Sequence, residues 1–181
     1  MQSVIPCTIH GLMNAQTTTI VFSHGKESGP WGSKILAMAE AARALGLAVE
    51  SVDYQGIDDP RVRVGKLLST AARIPGRLVL AGSSMGGHVS AAAAAHLTPI
   101  CLFLLAPAFY MPGFEQYTPR NIPCRTSIVH GWHDDIVPVE NSIRWAREHR
   151  AALHLLDSDH RLQDQIPLIS VLLSTFLRSI C

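Results

Sequence analysis

At 181 residues, with 48% apolar and 16% charged side chains, the chain has the length of one domain and can bury a core without metals or disulfides. A net charge of +1 gives no electrostatic case for nucleic acid or anionic lipid. Pro99, Pro107 and Pro112 interrupt the longest apolar region, which excludes a membrane-spanning stretch there. The one basic cluster, Arg61-Val62-Arg63 with Lys66, is expected to be a solvated helix face.

Short apolar runs alternate with helical patterns along the chain. Val4 to Ile9 could supply a first strand, and Thr18 to Ser23 reads as a strand ending in His24-Gly25. A helix is predicted from about Gly32 to Leu45, stopped by Gly46. Ala48 to Asp53 is the next strand, followed by a helix from Pro60 to about Arg73 that Pro75-Gly76 closes. Leu78 to Gly82 is a buried strand, and from Met85 onward small residues favour a helix. Its Ala91–Ala95 run suits close packing on a sheet. Ile100 to Ala106, apolar throughout, belongs at a sheet centre. Strands at Thr126 to His130 and His154 to Leu156 flank a helix over Val139 to His149, and an amphipathic helix over Gln163 to Arg178 closes the chain. The pattern predicts a single-domain α/β fold, a mostly parallel sheet of about six strands with helices on both faces. Residues 107–124 break the alternation as a short aromatic, Pro-rich loop; it is too short for a full cap domain and is a candidate cover for a site.

The most informative segment is Gly82-Ser83-Ser84-Met85-Gly86, set between a strand and a helix. That context makes it a nucleophile elbow: a strained turn that lifts the Ser84 hydroxyl to the carboxyl edge of the sheet. The flanking glycines let neighbouring backbone approach without a Cβ in the way.

Three motifs together resemble the α/β-hydrolase superfamily, in particular its small lidless bacterial serine esterases and thioesterases. They are F-S-H-G at Phe22 to Gly25, G-S-S-M-G at Gly82 to Gly86, and H-G-W-H-D-D-I-V-P at His130 to Pro138. The resemblance spans Thr18 to Arg178 and implies a triad of Ser84 as nucleophile, His160 as base and Asp134 as acid, in the family's chain order. Asp135 remains an alternative acid, although the spacing to Val137-Pro138 favours Asp134. The resemblance also implies an oxyanion hole from the Met85 N–H and a second N–H in the loop after the first strand, Lys26 first and Glu27 next. His24 is expected to brace that loop, and His88, four residues past Ser84, to pack on its helix or lie at the surface.

Trp31, Phe109 and Tyr110, with Met85, are candidates to line an apolar substrate pocket, or else to cover sheet edges. His130 and His133 beside Asp134 fit no common zinc spacing, and Cys7, Cys101, Cys124 and Cys181 form no ligand pattern. Neither metal nor cofactor is expected. Reduced thiols and an N-terminus without a signal-like apolar core point to the cytoplasm. The implied activity is hydrolysis of a small carboxylic ester or thioester through an acyl-enzyme. The alternatives are an amidase or peptidase on the same triad, or a non-catalytic binding protein on the same scaffold.

Overall fold

In the computed structural model, residues 17–180 are described; the strand expected over Val4 to Ile9, Cys7 and Cys181 lie outside them. Six strands are placed in chain order: β1 (Thr18–Ser23), β2 (Ala48–Val52), β3 (Arg77–Ser83), β4 (Cys101–Leu105), β5 (Arg125–Gly131) and β6 (Ala152–Leu156). They form one sheet in the order β2-β1-β3-β4-β5-β6, and every neighbouring pair runs parallel. Five helices connect or follow them: α1 (Ser33–Ala44), α2 (Pro60–Ala71), α3 (Met85–Leu97), α4 (Val139–His149) and α5 (Ile166–Arg178). The expected α/β architecture is the one observed.

The two-residue period of a strand divides the core. Ile20, Phe22, Val79 and Phe103 face α1 and α5, where they meet Met38, Ile169 and Leu173. Their neighbours Val21, Leu80, Leu102 and Leu104 face the other way, onto α2, α3 and α4, where they meet Leu67, Val89 and Trp145. A strand buried on both faces must be apolar throughout, which is why Cys101-Leu102-Phe103-Leu104-Leu105 lacks the alternation of a half-exposed strand. Asp59 starts α2 by accepting the Arg61 N–H at 2.8 Å, with Pro60 pre-set for the first turn. The last helix begins later than its sequence pattern suggests: Gln163–Gln165 is a separate 3-10 turn, and α5 follows it.

Strand order reverses at β1, since β2 lies on one side of it and β3 on the other. In doubly wound sheets the crevice at the carboxyl ends of such strands is the usual ligand site. Here it receives the loop after β1 and the turn after β3. Two glycines make that juncture possible. A Cβ on Gly86 would stand 2.0 Å from the Ser23 carbonyl oxygen, and one on Gly82 2.3 Å from that of Gly86. A side chain at position 86 would drive the start of α3 off the end of β1, and one at position 82 would drive it off β3.

The basic cluster on α2 requires a correction. Arg63 is 1% exposed, whereas Arg61 is solvated and paired with Asp59 at 2.7 Å. The helix turns the third residue of that cluster inward, where backbone carbonyls satisfy its guanidinium. Among the described residues no helix is long and apolar enough to cross a membrane.

Candidate active site

The elbow forms as the sequence requires. Ser84 has φ 55° and ψ −122°, a backbone state rare for any residue with a Cβ, and it is held there from three sides. Its N–H donates to the Leu105 carbonyl at 2.8 Å, and its own carbonyl accepts from Gly87 at 3.0 Å and Ala108 at 3.1 Å. The end of β4 and the start of the 107–124 loop therefore clamp the turn.

Ser84, His160 and Asp134 meet although they are far apart in sequence. His160 Nε2 lies 3.1 Å from Ser84 Oγ, and Nδ1 lies 2.7 Å from Asp134 Oδ2. Because a carboxylate only accepts, Nδ1 carries the proton and Nε2 presents a lone pair to the serine hydroxyl. Asp135 is exposed to solvent and takes no place in this chain of bonds.

Asp134 is fixed by more than His160. Its Oδ1 accepts the N–H groups of Ile136 at 2.9 Å and Val137 at 2.7 Å. Its Oδ2 also lies 2.9 Å from His130 Nε2, on a fully buried ring. The other nitrogen of that ring lies 2.7 Å from the Ser142 hydroxyl, so Ser142 donates to Nδ1 while Nε2–H points at the acid. Burial alone would push the Asp134 carboxyl upward; the donors of His130, His160, Val137 and Ile136 outweigh it and hold the group well below the usual carboxylate range. The sequence placed His130 at a strand end but gave no sign that it shares the acid's oxygen. Only the packing of β5 on α4, which brings Ser142 and Asp134 to either side of the ring, reveals it.

The Met85 N–H opens α3, so no carbonyl lies one helical turn before it within the helix. Gly25, one residue before Lys26, lies against the elbow: a Cβ built there would sit 3.5 Å from Ser84 Cβ. His24 is buried beneath this loop. His88 is partly buried; burial lowers its basicity, opposed by a hydrogen bond with the Ala108 backbone.

The three aromatic residues expected around a pocket are dispersed. Phe109 is fully buried and stacks on Trp145 at 4.7 Å. The Tyr110 hydroxyl bonds Glu148, and its ring carries the Arg144 guanidinium at 4.1 Å. Positive φ values at Ala106 (41°) and Tyr110 (47°) turn this stretch onto α4, so neither ring forms an apolar wall. Trp31 is 41% exposed, and Arg43, from the last turn of α1, lies 6.0 Å from its ring.

Lys34 was not singled out by any motif. Its ammonium donates at 3.2 Å to the Oγ of Ser83, directly before Ser84 in sequence. Desolvation brings it down to about 8 from the ordinary 10.5, against the opposing charges of Asp159 and Asp134. The folded state disfavours the charged form, so the penalty is complete below pH 8. Between about 8 and 10.5 the folded protein releases this proton before the unfolded chain does, and stability rises with pH. Lys34→Met is expected to stabilise the fold at pH 7 by about 1–2 kcal/mol, an advantage that shrinks toward pH 10.5. Urea denaturation of both proteins at the two pH values checks this.

No protein-family model and no curated protein matches the chain. Solved structures do. A structure assigned to the α/β superfamily of hydrolases, from Xanthomonas campestris pv. campestris, is 33% identical, with a TM-score of 0.82 over 91% of this chain and 99% of its own. A second from Xanthomonas campestris, described as an α/β serine hydrolase without lid, is 24% identical, with a TM-score of 0.75 over 91% of this chain and 82% of its own. Est1E of Butyrivibrio proteoclasticus, with ferulic acid bound, shares the fold at 16% identity, with a TM-score of 0.76 over 91% and 90%.

Proposed function

Because the chain belongs to the α/β-hydrolase superfamily, we propose that it hydrolyses a small carboxylic ester or thioester by an acyl-enzyme route on Ser84, His160 and Asp134. The observation that carries this reading is the hydrogen-bond chain of 3.1 and 2.7 Å through His160. Ser84 Oγ attacks the acyl carbonyl while its proton passes to His160 Nε2. The carbonyl π electrons move to oxygen, and the N–H groups of Met85 and Lys26 receive the charge. When the intermediate collapses, the bond to the leaving group breaks and His160 returns the proton to it. Water then attacks the acyl-serine, giving a proton to His160 and releasing the acid and the Ser84 hydroxyl. Asp134 holds the His160 tautomer and stabilises the imidazolium in both halves.

His88, one helical turn after Ser84, borders a cavity of about 230 Å³ that Arg61, Val64, Ala92, His96 and Tyr117 also line and that none of Ser84, Asp134 and His160 lines. That Est1E holds ferulic acid makes aromatic carboxylate esters a sensible part of a substrate panel.

The test is intact mass after exposure to a fluorophosphonate, on wild type and Ser84→Ala, beside turnover of matched esters, thioesters and amides. One adduct on wild type alone, with esters or thioesters turned over faster than amides, is expected. Faster amide cleavage would replace the esterase reading with an amidase one. A folded wild type that takes no adduct would overturn the catalytic reading and favour a binding protein.

A further inference from the structure

Arg63 is a buried guanidinium, and among the described residues no carboxylate lies within 4 Å of it. Burying a cation without a counter-ion is costly, and here backbone carbonyls take up its donors. Nε donates to Ile57 O at 2.6 Å, and Nη1 to His24 O at 3.2 Å and Gly25 O at 3.3 Å. Its face lies over the Tyr54 ring at 5.2 Å.

A second donor converges on the Gly25 carbonyl. His24 Nε2 accepts the Tyr54 N–H at 2.8 Å, and an amide N–H can only donate. In the neutral ring the proton is therefore on Nδ1, which donates to Gly25 O at 2.7 Å. The Gly25 carbonyl and the Lys26 N–H belong to one planar trans peptide and point in opposite directions. Anchoring the oxygen inside the fold fixes the plane, aims the N–H away from the anchor, and strengthens its polarity. Gly25, which begins that peptide, lies against Ser84: a Cβ built on it would sit 3.5 Å from Ser84 Cβ.

We propose that Arg63 and His24 clamp the Gly25–Lys26 peptide so that the Lys26 N–H is pre-set for the oxyanion, which makes Arg63 a positioning residue of the reaction. The proposal rests on the serine-hydrolase reading of the site. It accounts for a buried arginine with no carboxylate in contact, on a helix whose other inward residues, Leu67 and Ala71, are apolar: its donors go to the loop that must not move as charge develops.

Arg63→Met, of similar length, is expected to lower kcat by about 10- to 100-fold and change KM less than about threefold. Affinity for a trifluoromethyl ketone, whose hemiketal oxygen occupies the oxyanion position, should fall by the same factor as kcat/KM. In Arg63→Ala, added guanidinium at a non-denaturing concentration should restore part of kcat, and urea at equal concentration should not. His24→Asn, with an amide N–H near the Nδ1 position, should recover most of what His24→Ala loses. A folded Arg63→Met with wild-type kcat, or with a loss confined to KM, overturns the clamp. If near-UV circular dichroism shows Arg63→Met unfolded, the His24 pair decides, and equal activity of its two members overturns the clamp. Wild type that takes no fluorophosphonate overturns the serine-hydrolase reading itself. Labelled wild type with indifferent variants sinks the clamp alone.

Discussion

Ser84→Ala is expected to lower kcat for an activated short-chain ester by about a million-fold, while the protein stays folded and at least as stable. The loss is large because nothing nearby can take over. Ser83 is adjacent in the chain, but its hydroxyl accepts from Lys34, while that of Ser84 lies 3.1 Å from the imidazole. The elbow separates the two side chains, because Ser83 ends β3 while Ser84 has left the strand conformation. Ser83→Ala should therefore change kcat by less than about threefold. Stability should hold because alanine removes only a hydroxyl, and the φ of 55° is imposed by the Leu105 and Ala108 backbone bonds, which it keeps. Residual activity near that of the triple triad variant would leave the oxyanion donors as the remaining source of catalysis. Retention of even a tenth of wild-type kcat would require another nucleophile.

The fold was largely legible in the sequence because local and global signals agree. The continuous apolar run at Cys101 to Leu105 demanded a buried central strand, and Gly82 and Gly86 bracket a turn that only they can make. The carriers of the hydrogen-bond chain were named from motif context, order and spacing, and the structure brings them together. What the sequence could not show is which way a side chain turns once its backbone is committed. Arg63 sits among charged residues on a helix, and nothing in its neighbours tells that three carbonyls of the β1 and β2 loops wait beneath it. Phe109 has the chemistry of a pocket wall, yet the positive φ at Ala106 and Tyr110 rotates that stretch onto Trp145. His130 failed as a metal ligand on spacing, and its bond to Asp134 depends on α4 delivering Ser142 to its far nitrogen.

The doubled acid at 134 and 135 gives a sharp second contrast. Asp134→Asn is expected to lower kcat by about 10,000-fold, and Asp135→Asn to change it less than about twofold. The asymmetry follows from how an amide must sit in the first position. Two backbone N–H groups, from Ile136 and Val137, converge on Oδ1 and cannot be satisfied by an NH2. The amide oxygen is thus forced into the Oδ1 place, and the NH2 faces the two imidazoles that share Oδ2. His160 must then turn its lone pair toward the amide and carry its proton on Nε2, where it can no longer accept from Ser84. The buried Asp134 site gives the amide no alternative orientation that spares the backbone donors, whereas an amide at exposed position 135 meets water. Measuring kcat for both variants on one ester, with fluorophosphonate labelling rates alongside, reads the difference directly. An equal loss in the two, or a larger one at 135, would move the acid to Asp135 and show that the 2.7 Å contact of Asp134 with His160 does not carry the reaction.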